Sequence, residues 1–181
     1  MVANTWIAAG PGDWDDDANW SLGHSPIEGE DPTFDGTSVN NCAANDDTPT
    51  GVLTIAAGYS GEIIQSSDMY ISGYSQAGGT FTGVTTKWVY CSGDFIKTSG
   101  TINVYTVNIN FTSDYQTLST NDVYHKFSGF DLNGHLNVSQ HVIIFLASNT
   151  AKIYLRENSH LNILSDKTFN VYQTRVSDYL Y

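Results

Sequence analysis

The chain has 181 residues, a length that fits one domain with a sizeable core. Tyr, Thr, Ser, Asn and Gly are plentiful and Ala-Leu-Glu-Lys stretches are absent, which argues against a helical protein and predicts an all-β fold. Lys plus Arg number 7 against 19 Asp plus Glu, a formal net charge of -12, which disfavours nucleic-acid binding through a basic face.

The negative charge is distributed unevenly along the chain. Residues 1–86 contain 12 acidic residues and no Lys or Arg, whereas residues 87–181 contain 7 of each sign. We interpret the acid excess as a solubilising surface. The uneven distribution also predicts that the molecule has two different faces, one turned to solvent and the other docked on a shell or on sister subunits.

The first residues do not have the pattern of a secretory leader. Met1 is followed by Val-Ala-Asn-Thr-Trp, with neither a basic n-region nor an apolar h-region. No segment approaches the ~18 apolar residues needed to span a bilayer, so we expect no membrane insertion. Three origins stay open: an intracellular protein, a secreted protein whose leader was removed, and a virion protein released by lysis.

Residues 1–50 are predicted to form an N-terminal capping region. The stretch from Trp14 to Asn41 alternates turn-forming residues with aromatics and holds two of the four tryptophans, without a long apolar run. A stack of β-coils exposes backbone edges at both ends, so we expect this stretch to close one end. The side chains expected to be buried against the first coil are Trp14, Trp20, Leu22 and Phe34.

Residues 51–181 are predicted to form the coils of a parallel β-solenoid. Gly73 and Gly93 end two similar units and are spaced by 20, while Gly61, Gly79 and Gly100 mark a second unit at spacings of 18 and 21. A drifting period near twenty is typical of a single-domain parallel β-helix, in which each coil is one rung. The alternative is a β-sandwich or jelly roll, which also repeats glycine-centred turns. The positions expected inside are Leu53, Ile55, Ile63, Ile71, Phe81, Val89, Ile102, Val104, Val107, Ile109, Leu136, Ile153, Leu161 and Ile163.

The C-terminal segment, Val171 to Tyr181, is β-prone and rich in tyrosine. A chain that ends in Tyr-Leu-Tyr is expected to pack this tail as the last strand or to place it in an interface. Interface cores favour aromatic residues, so we predict an aromatic C-terminal edge that mediates self-association, most simply as a trimer, or docking on a capsid or surface protein. The predicted interface residues are Tyr172, Tyr179, Leu180 and Tyr181.

The N-terminal stretch resembles a known module. The matching residues are Trp14, Ala-Asn-Trp-Ser-Leu-Gly-His at 18–24, Pro26, Phe-Asp-Gly-Thr-Ser at 34–38 and Asn-Cys at 41–42. This pattern resembles the N-terminal module of repetitive β-solenoid surface proteins and phage structural proteins, over about Thr5 to Thr82. It departs at residues 30–33, where Gly-Asp and branched apolar residues are usual and where Pro32 predicts an edge strand or a turn. The resemblance implies a scaffold or adhesive role and no catalytic residues.

Candidate metal sites are weak. Asp13, Asp15 and Asp17 alternate in one loop and could ligate calcium, but EF-hand spacing, a central Gly and a closing Glu are missing, so a solvated loop with Asx turns is favoured and no cofactor is expected. His135 and His160 occupy equivalent places in the repeat, where stacked polar side chains are favoured over a metal site that lacks a third ligand. The two cysteines predict small, buried, reduced thiols.

The sequence offers no recognisable catalytic cluster. The acids and bases that a carbohydrate-active enzyme could use are scattered: Asp94, Asp114, Asp131, Lys87, Lys97 and Arg156. Exposed aromatic rings could instead stack on glycans, and the candidates are Trp88, Tyr70, Tyr90, Tyr105 and Tyr115.

We therefore predict a non-enzymatic structural protein of a virion, namely a capsid decoration protein or a fibre domain of a tailed phage or related virus. The alternative is an extracellular adhesin, a carbohydrate-binding solenoid fragment on a bacterial or archaeal cell surface.

Overall fold

The computed structural model describes residues 1–84 and 86–103 in full, and beyond residue 103 it describes the backbone of the strands. A short 3-10 helix spans Asp17–Asn19. The strands are β1 (Val2–Thr5), β2 (Gly12–Asp13), β3 (Glu30–Phe34), β4 (Cys42–Ala44), β5 (Thr50–Ile55), β6 (Glu62–Gln65), β7 (Met69–Gln76), β8 (Thr80–Thr82), β9 (Trp88–Cys91), β10 (Phe95–Lys97), β11 (Thr101–Ile102), β12 (Val107–Phe111), β13 (Gln116–Thr120), β14 (Phe127–Leu132), β15 (His135–Val138), β16 (Val142–Leu146), β17 (Ile153–Leu155), β18 (His160–Ile163) and β19 (Phe169–Gln173).

The strands form parallel ladders that wind into a three-sided column. The first face stacks β1, β3, β5, β7, β9, β12, β14 and β17, the second stacks the end of β7 on β10, β13, β15 and β18, and the third stacks β2, β4, β6, β8 and β11. In addition, β16 pairs in parallel with β19. The protein is therefore an all-β parallel solenoid, as the sequence predicts, and the sandwich alternative is excluded.

The register explains the period seen in the sequence. Ile71 lies opposite Cys91 and Tyr74 lies opposite Phe95, so one coil advances the chain by nearly the same interval that separates Gly73 from Gly93. The first coil is longer, since Val2 lies opposite Glu30. The strands β1 and β3 of the predicted capping region are thus the first rungs of the same ladder, and the additional residues of this coil fold over its end.

The core runs up the inside of the column. Alternate residues of each strand point inward, and stacking on the neighbouring coil buries them, at about 1.5–3 kcal/mol for each fully buried large apolar side chain. The predicted core residues with described side chains, apart from Ile102, are at most 3% exposed: Leu53, Ile55, Ile63, Ile71, Phe81 and Val89. Ile102 is half-buried and packs against this core. The remaining predicted positions lie outside the described side chains: Val104, Val107, Ile109, Leu136, Ile153, Leu161 and Ile163.

An aromatic cluster closes the first coil. Trp6, Trp14, Trp20 and Phe34 are all at most 3% exposed, and the Trp20 ring lies 5.2 Å from Trp6, 4.9 Å from Trp14 and 5.7 Å from Phe34, edge to face in each case. Backbone bonds link the segment across the end of the coil, because Ile7 donates to the carbonyl of Asn19. The predicted burial of Trp14, Trp20 and Phe34 is confirmed.

The predicted burial of Leu22 is wrong, since its side chain is 42% exposed. Leu22 would follow Trp20 inward if the extended chain continued. Instead the chain turns, with the amide of Gly23 donating to the carbonyl of Trp20 and Gly23 adopting a φ of 76°. The alternation therefore ends at Trp20.

Pro32 lies inside the sheet, contrary to the predicted edge or turn. Strand β3 pairs with β1 on one side and with β5 on the other. Pairing with β5 starts only at Thr33, and the amide of Val52 donates to the carboxylate of Asp31 at 2.7 Å. A side chain thus accepts a hydrogen bond from β5 next to the position where proline interrupts the ladder.

Within the described residues, the protein has no helix with both the length and the hydropathy needed to cross a membrane.

Candidate functional site

A pair of stacked tyrosines dominates the outer side of the first face. Tyr70 and Tyr90 occupy equivalent positions on β7 and β9, and the parallel register brings their rings to a centroid distance of 4.7 Å with an interplanar angle of 4°. Tyr70 is 39% exposed and Tyr90 is half-buried. The backbone ladder therefore presents two aligned rings on a rigid surface.

A groove with a volume of about 460 Å³ runs along this surface. Tyr70 and Tyr90 line it together with the hydroxyl-bearing residues Ser72 and Ser92, which follow Ile71 and Cys91 in neighbouring coils. This volume lies within the ~300–1,000 Å³ typical of small-molecule sites. Sequence reasoning named both tyrosines as candidates but did not predict the groove.

The lower end of the groove belongs to the first coils. Met1, Glu28 and Gly29 line it there, and Pro49 adjoins the coil below Tyr70, because Thr50 pairs with Ile71. Gly29 contributes no side chain to this end of the groove, and no atom lies within 4 Å of where its Cβ atom would be. The groove therefore depends on the irregular N-terminal coil as much as on the repeat.

One hydroxyl in the wall is left without a partner. The Oγ atom of Ser72 is shielded from solvent and has no hydrogen-bond partner among residues 1–84 and 86–103. A shielded hydroxyl without a partner is unfavourable, and such groups are found where a ligand or an ordered water supplies the missing bond. Ser72 also lines the groove, so a rotation about its χ1 angle is what would bring the hydroxyl to a molecule there.

The described groups that line the groove include no cationic side chain. Among the described residues that line it, the ionisable groups other than tyrosine are the exposed carboxylate of Glu28 and the terminal amine at Met1. The first basic side chain in the sequence, Lys87, does not line the groove. A hydroxyl-rich, aromatic surface with one carboxylate suits a polar ligand that is neutral.

The structure does not gather the calcium candidates. The side chains of Asp13, Asp15 and Asp17 are exposed, because Trp14 between them points into the core. The Oδ1 atom of Asp15 accepts a bond from Asn45 at 2.8 Å, and that of Asp17 accepts one from the amide of Ser25 at 2.8 Å. Throughout the described part of the chain, the structure contains no group of three or more His, Cys, Asp or Glu side chains placed to hold a metal ion.

The enzyme candidates that are described lie apart from one another. Lys97 is only 1% exposed and points into the column, in register with Gln76. A side chain buried in this way does not face an open groove. Asp94 is exposed and Lys87 is half-buried. Asp114 and Arg156 lie outside the described residues, and of Asp131 only the backbone in β14 is described.

Both cysteines are free and buried, as predicted. Burial raises the pKa of the Cys42 thiol well above its usual value, and the nearby Asp13 carboxylate adds to this rise. Burial also raises the pKa of Cys91 to about 12. Because the thiolate is the reactive form, these side chains are inert structural thiols.

Several predicted residues are described only in their backbone or not at all. The register places His135 opposite His160, so the two positions are equivalent as predicted. Tyr172 lies in β19, opposite Phe145 of β16. Outside the described residues lie Tyr105, Tyr115, Tyr179, Leu180 and Tyr181.

No family model, curated protein or solved structure matches this chain. The resemblance of the N-terminal stretch to surface and phage solenoids therefore stays a prediction, and the functional argument depends on the geometry of the chain itself.

Proposed function

We propose that this chain is a non-enzymatic structural protein of a virion, in which the solenoid projects from a shell or is joined to sister subunits through its C-terminal end. The proposal is supported by the strand edges and the tyrosines at the C-terminal end of the column. It agrees with the scaffold role that the N-terminal resemblance implies.

The N-terminal end is covered in part by a segment that crosses the first coil. Backbone bonds join residues 5–7 to residues 19–21 across the first coil, and Trp20 covers the core beneath them. Asn4 is fully buried and secures this segment, since its side chain donates to the carbonyl of His24 and to the carboxylate of Glu30. A covered end protects a solenoid from joining other chains by its strand edges.

At the other end, β17, β18 and β19 each pair with one neighbour among the described strands: β14, β15 and β16 respectively. The first strands, β1 and β2, also pair with one neighbour each, but there the chain crosses the coil and bonds to the end of β1. Strand edges that stay unpaired are templates for association, and the sequence that follows β19 contains Tyr179, Leu180 and Tyr181. This arrangement favours docking or symmetric self-association at the C-terminal end.

Light scattering on three forms of the protein tests the docking end. We expect the full chain to associate, most simply as a trimer, and removal of Val171–Tyr181 to yield a monomer. Leu22→Glu introduces a charge at an exposed position of the covered end and should leave the mass unchanged. Circular dichroism verifies that each form is folded. A monomer for the full chain, or association that is lost only in Leu22→Glu, would contradict the proposed docking end.

Mass spectrometry of virus particles purified from the source of the gene tests the virion assignment. We expect peptides of this chain in the particles, at a ratio to the main shell protein that survives high-salt washing. Recovery in the cell-envelope fraction instead would replace the virion assignment with the adhesin alternative.

A further inference from the structure

The geometry points to a binding site for a neutral oligosaccharide in the groove beside Tyr70 and Tyr90. This inference goes beyond the proposed structural role, because a shell protein and an adhesin could equally have such a site. It combines the stacked rings, the hydroxyl-bearing wall and the absence of basic side chains among the described residues that line the groove.

The aromatic pair supplies a fixed platform. Sugar rings bind aromatic surfaces through their apolar C–H faces, while their hydroxyls bond to polar groups at the side. Tyr90 contacts one face of Tyr70 and the register places Pro49 on the other side, so the 39% of Tyr70 that is exposed is what a ligand can reach. Because the rings hold each other in place and their strands are in register, little conformational entropy is lost on binding.

Polar groups suited to sugar hydroxyls lie beside this platform. Ser92 is exposed, and Ser72 has a hydroxyl with no partner in the described residues. Glu28 adds an exposed carboxylate, which accepts hydrogen bonds from neighbouring hydroxyl groups. Donors and acceptors thus line the side of the platform, as the recognition of a polyhydroxylated ligand requires.

The charge distribution selects among glycans. Residues 1–86, which supply most of the groove, contain no Lys or Arg. Sulfated, phosphorylated or sialylated glycans are best held by cationic side chains, which the described lining lacks, and the carboxylate of Glu28 would repel them. Neutral chains built from hexose or N-acetylhexosamine units meet no such repulsion.

A proline-rich peptide is the competing occupant, because aromatic grooves also bind polyproline helices. Such a groove holds a proline ring between two aromatic side chains, which needs a separation of about 7 Å, twice a ~3.5 Å carbon contact. The rings of Tyr70 and Tyr90 are 4.7 Å apart and leave no such gap. The geometry therefore favours the sugar.

The test begins with a glycan array that contains neutral and acidic glycans, and neutral ligands are then titrated by calorimetry. Maltohexaose, cellohexaose and chitohexaose are included as defined neutral probes, heparin oligosaccharides as acidic probes, and a decaproline peptide as the competing ligand. We expect at least one neutral glycan to bind, without binding of the acidic ones. Tyr70→Ala should weaken that binding at least tenfold.

Ile64→Ala is the matched control for Tyr70→Ala. Ile64 is also 39% exposed but lies on β6, on the third face of the column, so its removal should change affinity less than twofold. Glu28→Gln keeps the shape of the rim and should reduce the exclusion of acidic glycans. Thermal melting verifies that each variant is folded.

Three outcomes would overturn the proposal: no neutral glycan binds, binding survives Tyr70→Ala, or decaproline binds in place of the sugar and is lost in that variant. Light scattering on the same samples reports on the C-terminal docking end separately. Failure of the glycan site thus remains distinguishable from failure of the proposed virion role.

Discussion

Replacing Trp20 by alanine should destabilise the protein by about 4 kcal/mol. A buried tryptophan removes about 150–250 Å² from water, which at ~25 cal/mol/Å² gives an upper range of about 4–6 kcal/mol. Measured Trp→Ala changes in cores cost about 3–5 kcal/mol. Trp20 is 1% exposed and contacts three other aromatic rings, so a value near the middle of these ranges is expected.

The hydrogen bond of the indole adds a separate contribution. Its Nε1 donates to the carbonyl of Trp14 at 2.6 Å, and this bond is buried. Trp20→Phe keeps most of the ring packing but leaves that carbonyl without its donor, which costs about 1–3 kcal/mol. The difference between the two variants therefore separates packing from hydrogen bonding.

Urea unfolding followed by far-UV circular dichroism measures the free energies of unfolding. For a chain of this size, about 4 kcal/mol corresponds to a fall in Tm of about 8–16 °C. Leu22→Ala is the control, since the side chain lies two residues away and is 42% exposed, and it should cost less than about 0.5 kcal/mol. If Trp20→Ala unfolds no more easily than Leu22→Ala, the aromatic cap does not stabilise the column.

Hydrogen exchange adds a spatial test of the same substitution. In a solenoid each coil contacts only its neighbours, so loss of the cap should first open the coil beneath it. We expect amides of residues 2–34 in Trp20→Ala to exchange faster than in the wild type, with smaller changes in β9 and β10. Uniform acceleration along the whole chain would show that the column unfolds as one unit and would contradict this expectation.

The remaining predictions concern the turns, the buried amides and the thiols. Gly36→Ala should lower the free energy of unfolding by about 1–3 kcal/mol in thermal melting, because Gly36 has a φ of 99° and an added Cβ atom would lie 2.6 Å from the carbonyl oxygen of Gly58. Gly29→Ala should cost less, because Gly29 has a φ of 86° but open space around the Cβ position. Gln76→Leu should cost about 2–4 kcal/mol in urea, because the buried amide bonds to three backbone carbonyls, and an unchanged midpoint would exclude that role. The free energy of unfolding should fall as the pH rises above 9, by about 1.4 kcal/mol per pH unit for a thiol such as Cys91. The reason is that the thiol of the unfolded chain ionises near its ordinary pKa of 9.0, while the pKa of Cys91 in the folded protein is about 12. Urea titrations at pH 8, 9 and 10 should therefore show a smaller pH dependence for Cys91→Ala.

The fold was predictable because its signal is local. Each rung is a few alternating residues followed by a glycine-centred turn, and the spacing of Gly73 and Gly93 is the one that the register of Ile71 and Cys91 reproduces. Periodicity of this kind survives in the sequence because every coil must bury the same inner face on its neighbour. The predicted interior of β5 to β9 followed from it directly.

The groove was only half predictable, since it combines two kinds of position. The stacking of Tyr70 on Tyr90 was detectable, because each tyrosine precedes the glycine of its repeated unit, Gly73 or Gly93, by the same interval. Met1 and Glu28 come from a first coil of different length, whose path follows no period. The position of Met1 and Glu28 near the tyrosines depends on how the cap folds over the end of the column, and the repeat does not encode this path.

The polar residues inside the column were also missed, and they indicate how coils of similar shape keep their register. One inner row runs Phe34, Ile55, Gln76 and Lys97, from an aromatic ring at the capped end to a buried lysine. Alternation marks these positions as inward. Two of them are polar, however, and only apolar residues were expected inside the column. A slip by one coil would set the polar Lys97 against the apolar Ile55 in place of the polar Gln76, and a buried polar group that loses its hydrogen bond costs about 1–3 kcal/mol. Apolar residues alone would tolerate such a slip, because they stack on one another without direction. A row whose chemistry changes from coil to coil therefore favours one alignment of the chain, and this alignment places Tyr70 against Tyr90 on the outer surface.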